Sequence, residues 1–291
     1  MLVERSNFTV SRMGRLLGVS RSGFYAWLGR VPSKRAIRAE RIEAKVAWFH
    51  GDSDEVSGSP RILADLRGDG EVISRKTVAK TMRRLHLVGV CPKKWKTTTL
   101  INHADAYPVD AAKRAWDKGG LNRVWVGDIT YLRTWEGWLY LATVIDAHSR
   151  RVIGWAIDEH MRADLVQDAL VMAITLRGDL PEKVVFHSDR GTQYASAQIT
   201  AFAASNGLIR SMGYTGICWD NAMAESFFAT LKTEFYYHRV WPTKKGARIA
   251  VGQWIEDRYN RRRRHASIGQ ISPVAFEQQY LNQNAELAQA A

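Results

Sequence analysis

Three carboxylates, Asp128, Asp189 and Glu225, have surroundings that can bring them to one point. Asp128 lies near the end of an alternating apolar run, Asp189 closes a short apolar run, and Glu225 sits in the first turn of a long helical pattern. Converging carboxylates suit a hard divalent cation. Mg2+, for which Mn2+ can substitute, prefers oxygen ligands and binds through one or two carboxylates, with water and phosphate completing its shell. Two such ions about 3.5–4 Å apart can activate an attacking oxygen and stabilise a leaving one in phosphoryl transfer. In that chemistry Asp128 would bridge both ions, while Asp189 and Glu225 would each favour one. Counting along the helix from Glu225, positions 229, 232 and 236 share its face. They are Ala229, Lys232 and Tyr236, so Lys232 can face the same cleft and grip a phosphate. Nearby polar residues read more plainly: Asp146 as a strand-end residue, His187 as a packed neighbour of Asp189, and Asp220-Asn221 as a helix N-cap.

The elements that must position these groups show a change of period. Residues 122–157 alternate. Val124, Val126, Asp128 and Thr130 share one strand face, and Trp125, Ile129 and Tyr131 the other. Glu136-Gly137 turns the chain into a second strand at 138–146, and His148-Ser149 into a third at 151–157. Helical spacing follows at 162–177, a strand at 183–188, a helix at 196–206, a strand at 208–212, and a helix over 222–240. Phe227, Leu231 and Phe235 form an apolar stripe that can anchor this last helix. Three antiparallel strands followed by alternating helix and strand give an α/β mixed sheet. If the first and fourth strands are neighbours, the two aspartates meet and the helix brings the glutamate over them.

Upstream the pattern is helical and basic. Over 8–30, Val10, Met13 and Leu17 mark one helix, Gly18 breaks it, and Ser20 caps a second that holds Phe24, Tyr25 and Leu28. This is a helix-turn-helix pattern, with Arg21 and Ser22 at the head of the recognition helix, where such helices meet base edges. A basic amphipathic helix at 34–50 precedes a second such pattern. In it, Ser74 caps a helix with Val78, Met82 and Leu85 inward and Arg75, Lys76, Lys80, Arg83 and Arg84 outward. Five cations on one short helix favour phosphate contact. The organisation expected is an N-terminal helix-turn-helix at 1–33, a basic helical domain at 34–92, a linker at 93–120, a catalytic core at 121–240, and a basic helical region at 241–291. The core boundary falls near 118. A helix at 244–260 leads into Arg261, Arg262, Arg263 and Arg264, which beside such a core read as DNA-backbone contacts. The Ala/Gln-rich end, 283–291, reads as frayed.

Charge follows the same division. Residues 1–100 carry 20 Lys and Arg against 9 Asp and Glu, residues 101–240 carry 14 against 16, and residues 241–291 carry 8 against 4. Basic ends suit a polyanion, because neutralising phosphates releases condensed counterions. An acidic middle suits carboxylates reserved for metal. The net charge is +13. With 46% hydrophobic residues a core can be buried, and no apolar run is long enough to span a membrane. No apolar signal segment is visible at the start. Cys91 and Cys218 alone make neither a disulfide framework nor a multi-cysteine zinc site. The expected location is cytoplasmic.

Four blocks carry a family resemblance. Trp125-Val-Gly-Asp128-Ile-Thr-Tyr131 resembles the first block of retroviral-type integrase cores, and His187-Ser-Asp189-Arg-Gly-Thr-Gln-Tyr194 the second. The stretch from Trp219 through Glu225 and Lys232 to Glu234 resembles the third. Sixty residues separate Asp128 from Asp189, and 35 separate Asp189 from Glu225, the latter being the D-D-35-E spacing of integrases and of the IS-three family of insertion sequences. Residues 259–273, from Tyr259-Asn260 through the arginine run and His265 to Pro273, resemble that family's C-terminal block, and 60–88 its upstream helix-turn-helix. The resemblance covers about 60–280 and points to the OrfB-type transposase product. It implies a ribonuclease-H-like core of integrase type behind all-α DNA-binding segments. It also implies Mg2+ dependence, the triad Asp128, Asp189 and Glu225, and Lys232 as the basic residue on the same helix. The implied reaction cuts one strand at an element end, and the freed 3′-hydroxyl attacks DNA. DNA is the expected partner, with a dimer or larger assembly on it and an upstream OrfA product by fusion or association. The chain departs from the pattern at Ser57-Gly58-Ser59-Pro60, where an aromatic is usual, at Ile268 in place of Leu, and in having no leucine-zipper heptads. A ribonuclease H fits less well, since it assembles four carboxylates without basic flanks. A catalytically retired DNA-binding regulator is the rival of another class, opposed by the intact triad.

Overall fold

The computed structural model describes residues 1–90, 119–180, 183–189, 191–212 and 222–290. Residues 93–118 of the expected linker at 93–120, the boundary near 118, the Asp220-Asn221 cap and both cysteines lie outside the described residues. Strand β1 (Val124–Thr134) and strand β2 (Gly137–Asp146) form an antiparallel hairpin. Strand β3 (Val152–Asp158) pairs antiparallel with β2. Strand β4 (Val184–Ser188) lies parallel to β1, and β5 (Leu208–Met212) parallel to β4. The order is β3-β2-β1-β4-β5. Parallel neighbours require crossovers. Helix α6 supplies the one before β4; helices α7 and α8 supply the one before β5. Their spans are Ala163–Arg177 for α6, Thr192–Ala195 for α7 and Ala197–Ser205 for α8. The mixed α/β sheet expected from the sequence is present, with the first and fourth strands adjacent.

Alternation along the strands fills both faces. Trp125, Ala142, Val144, Ile153 and Phe186 pack with Leu165, Leu170, Ile199 and Ala203 of α6 and α8. A Cβ on Gly154 would come within 2.1 Å of the Ala169 carbonyl oxygen, so glycine lets α6 sit directly on β3. On the other face Leu132, Leu139, Leu141 and Ile145 meet α9 (Ala222–Glu234) through Phe227 and Leu231, with Phe235 just beyond. The sequence pattern carries this helix to 240, but it ends at Glu234. Phe235, with φ −141° and ψ −61°, leaves helical backbone, and Tyr236 stacks on Trp241 at 4.9 Å. Tyr236 is thereby turned into the core, its hydroxyl donating to the Arg133 carbonyl at 3.0 Å.

The region after 241 belongs to the same core. Helix α10 (Lys244–Gln253) continues as a π-helical segment, Trp254–Arg262, rather than as one regular helix to 260. Trp254, Ile255 and Tyr259 pack beside Phe227. Buried Asn260 accepts from the Val152 N–H at 3.0 Å and donates to the Val152 carbonyl at 2.9 Å. Its amide covers part of the edge of β3 as a further strand would. Helix α11 (Pro273–Ala290) runs through the stretch expected to fray. Its anchor is Glu277, which accepts from Ser149 Oγ at 2.7 Å and Arg151 at 2.6 Å and pairs with Arg177. Asp146 is fully buried and accepts from the N–H groups of His148 and Ser149, closing the β2–β3 turn.

Five helices precede the sheet. Helices α1 (Val10–Leu17) and α2 (Arg21–Leu28) form the first hairpin, and Ser20 caps α2 by accepting from Gly23 N–H at 3.0 Å. Met13 and Phe24 are buried there, but Leu17, Tyr25 and Leu28, whose spacing pointed to a packed stripe, are exposed. Two helices of eight residues cannot cover them. Helices α3 (Lys34–Asp52), α4 (Ser59–Gly68) and α5 (Arg75–Arg84) enclose Ile42, Val46, Ile62, Leu66, Val78 and Met82. Ser74 caps α5 by accepting from Thr77 N–H at 3.2 Å.

Candidate active site

The register of the parallel pair sets the site. Gly127 stands opposite Ser188, so the next residues lie side by side, Asp189 just past the end of β4 and Asp128 within β1, where it is the fifth residue of eleven rather than near the end of the run. Gly127 is required by close approach: a Cβ there would lie 2.5 Å from the Phe186 ring. Buried Tyr194 packs against that ring, with centroids 6.1 Å apart. Helix α9 crosses β1 on the opposite face and carries Glu225 in its first turn and Lys232 two turns on. His187, behind Asp189, is buried, and its Nδ1 lies 3.0 Å from Ser211 Oγ.

Electrostatics link the group. Burial pushes the Asp128 carboxyl up to about 7, repulsion from Asp189 and Glu225 adds to this, and the Ile129 N–H and Lys232 oppose it. That N–H donates to Asp128 Oδ1 at 2.8 Å. Burial also raises Glu225. Burial lowers Lys232, against the pull of Asp128, and its ammonium lies 5.1 Å from the Tyr131 ring centroid. The Tyr194 phenol is raised well above its usual range by burial and then by Asp128 and Asp189, so it stays neutral. Asp189 Oδ1 accepts from the Gly191 N–H at 3.0 Å.

Among the described residues, no three His, Cys, Asp or Glu side chains already converge to hold a metal ion. The donor set still fits one. Its oxygens are hard ligands, and the charge around Asp128 is under-compensated. Glu225 is exposed at the head of its helix, and Asp189 is exposed just past the end of β4. Tyr236, expected on this face, points elsewhere.

The expected DNA-facing cations divide. On α5, Arg75, Lys76, Lys80 and Arg83 are exposed, whereas Arg84 is ion-paired with Glu43. Arg21 and Ser22 are exposed at the head of α2. In the arginine run Arg261 is exposed, but Arg262 pairs with Asp52, Arg264 with Asp65, and buried Arg263 with Glu234. These three guanidiniums, expected to contact the DNA backbone, are held by carboxylates of the chain, and Arg262 stays exposed as well. Sequence reasoning assigned no role to Tyr194 or Glu234. Each lies inside a block already singled out, but its partners are distant in sequence.

Known families match the same segments. Residues 120–235 and 206–273 match two families described as Integrase core domain, and 38–95 match an HTH-like domain. The transposase InsF of insertion sequence IS3A from Escherichia coli K12 is 39% identical over 281 residues, 96% of this chain and 97% of that protein. The chain belongs to this family of insertion-sequence transposases. The 31 kDa protein of insertion element IS600 from Shigella sonnei is 35% identical over 268 residues, 92% of this chain and 98% of that one. A simian T-cell lymphotropic virus intasome covers 79% of this chain and 73% of its own, at 18% identity and a TM-score of 0.46. The transposase combines an integrase core with an HTH-like helical region, and it acts on DNA. Cores of this family generally depend on divalent metal. No described helix is long and apolar enough to cross a membrane.

Proposed function

We propose that Asp128, Asp189 and Glu225 form one catalytic site that cuts a strand at an element end and then joins the freed 3′-hydroxyl to a DNA phosphodiester. The observation that carries this is the gathering of Asp189, Glu225 and Lys232 about Asp128: burial and the two neighbouring carboxylates lift that carboxyl to about 7, against the pull of Lys232. Strongly perturbed carboxylates in a cleft mark a site poised for chemistry. The three side chains would hold Mg2+ or Mn2+, as two ions. Bound there, such ions activate the attacking oxygen and stabilise the leaving one.

The chain's own groups supply the rest. Lys232 grips a phosphate beside the scissile bond. Phe186 and Tyr194 fill the space against Gly127 and keep water from beneath Asp128. The exposed cations of α5, with Arg21, Ser22 and Arg261, lie along the DNA. Cutting and joining two ends calls for a dimer or larger assembly on DNA, and an upstream OrfA product would add end recognition and dimerisation. Such a protein works in the bacterial cytoplasm, on nucleoid DNA.

The test is strand cleavage and joining on a labelled duplex carrying the element's end, with Mg2+ or Mn2+. Metal-dependent products from the wild type, absent with Glu225→Gln, are expected. Equal product from both proteins would remove the glutamate from the chemistry.

A further inference from the structure

The domain α3–α5 is joined to the catalytic core by charge. Its apolar cluster, Ile42 to Met82, includes no residue of the sheet domain among the described residues. Ion pairs bridge the two instead. Arg61 on α4 donates to Glu234 Oε1 at 3.0 Å. Arg263 grips the same carboxylate through two N–H groups, at 2.7 and 2.8 Å. Arg264 pairs with Asp65 on α4, and Arg262 with Asp52 at the end of α3. Arg258 donates to the Asp52 carbonyl at 3.2 Å. The π-helical turn brings Arg258 and Arg262 to that one residue.

The centre of this network is dry. Side-chain exposure is 8% for Glu234 and 10% for Arg263. A buried ion pair contributes little net stability compared with a well-packed apolar pair. It is directional, however. A carboxylate shared by two guanidiniums accepts few arrangements, whereas an apolar contact tolerates sliding. Glu234 also ends the helix that carries Glu225 and Lys232. The outer face of α5 remains turned to solvent.

The geometry points to a positioning clasp: Glu234, Arg263 and Arg61, with Arg264–Asp65 and Arg262–Asp52, fix the separation of the cationic face of α5 from the carboxylate site, and so select which phosphodiester is cut. This rests on the catalytic site and DNA-facing helix proposed above. Glu234 and Arg263 are positioning residues; they touch protein, not DNA. DNA held on α5 meets the carboxylates at one offset while the clasp is closed, and at several when it is open.

The test severs the clasp from the helical-domain side, with Asp52→Asn, Arg61→Gln and Asp65→Asn combined. The triad, Lys232 and the Glu234–Arg263 pair stay intact. If the triple variant does not fold, Asp52→Asn with Asp65→Asn replaces it. One readout needs no activity: spin labels at Lys80→Cys on α5 and Asp168→Cys on α6, in a Cys91→Ser, Cys218→Ser background, report the distance between domains without DNA. The other maps cut positions on the labelled end duplex with Mn2+, using unlabelled proteins. In the intact clasp a narrow distance and one cut position are expected. In the severed clasp the distance broadens and cuts scatter to neighbouring phosphodiesters. On-position cutting then falls by about 100-fold, as misplacement of reacting groups by an ångström can cause. An unchanged distance overturns the clasp, and so does a broadened distance with cuts still confined to one position. If the wild type makes no metal-dependent cut, the catalytic reading fails, and the distances still decide the clasp.

Discussion

Helix α9 carries a carboxylate near each end, and their surroundings are opposite. Burial alone would raise Glu234, yet Arg263 and then Arg61 hold it below the usual carboxylate range. Glu225 is raised by burial, and Asp128 beneath it reaches about 7 with two like charges for neighbours. Among the described residues, two guanidiniums meet at one carboxylate, whereas the three carboxylates face one lysine. Satisfied charge at Glu234 joins two parts of the molecule. In the reading proposed above, the unsatisfied charge at the triad receives a divalent cation and a phosphate from solution.

The largest expected effect breaks the contrast at its unsatisfied end. Asp128→Asn, Asp189→Asn or Glu225→Gln should each reduce metal-dependent cleavage by at least about 1,000-fold, as removing one member of a catalytic unit does. Melting temperature should hold or rise, since like-charge repulsion is relieved. Initial rates and a thermal melt on the same preparations check both halves. A parallel loss of rate and fold would make the triad structural after all.

At the satisfied end the outcomes reverse. Glu234→Gln leaves Arg263 buried with a weakened partner, and breaking a buried pair costs about 3 kcal/mol. Urea midpoints should fall accordingly, and on-position cutting should suffer through mispositioning rather than through loss of metal affinity. Unchanged midpoints would mean that solvent replaces the lost charge.

A gentler contrast lies in pH. Asp128 has a folded-state value of about 7 against 3.8 for the unperturbed group, so the folded protein keeps a proton that the unfolded chain has released. Stability therefore falls as pH rises from about 4 to about 7 and levels off above that. Glu234 runs the other way: its contribution is present above its ordinary 4.5 and is lost as pH falls through its lowered folded value. Denaturant midpoints across pH 5 to 7 should slope downward in wild type and lie flatter in Asp128→Asn. An unaltered slope in that variant would assign it to another group.

How far these two ends could be read from sequence differs for a physical reason. Strand alternation and helix spacing are local, so the strand that holds Asp128, the strand end at Asp189 and the helix turn at Glu225 were legible. Adjacency of the first and fourth strands was the one non-local condition, and the Gly127–Ser188 pairing meets it. Glu234 and Arg263 are 29 residues apart, and Arg61 is 173 from Glu234. Nothing periodic links them, so the arginine run read as DNA-backbone contacts and its carboxylate partners went unseen. Tyr236 was misplaced for a related reason: helical counting continued past Glu234, but Phe235 leaves helical backbone and Tyr236 stacks on Trp241.

The smallest effect separates the arginines from one another. Arg261 is exposed, and no carboxylate partner is seen for it among the described residues, whereas Arg263 is buried on Glu234. If Arg261 meets a phosphate, Arg261→Ala should weaken binding to all duplexes alike and reduce the salt slope by about one counterion. Its melting temperature should not move. Arg263→Ala should do the reverse, lowering the melt while leaving the slope of residual binding nearly intact, because a guanidinium held by a carboxylate releases no counterion from DNA. Titrations of fluorescent duplex at a series of salt concentrations measure both slopes. Equal slope changes in the two variants would show that the clasp opens on DNA and hands Arg263 to the backbone.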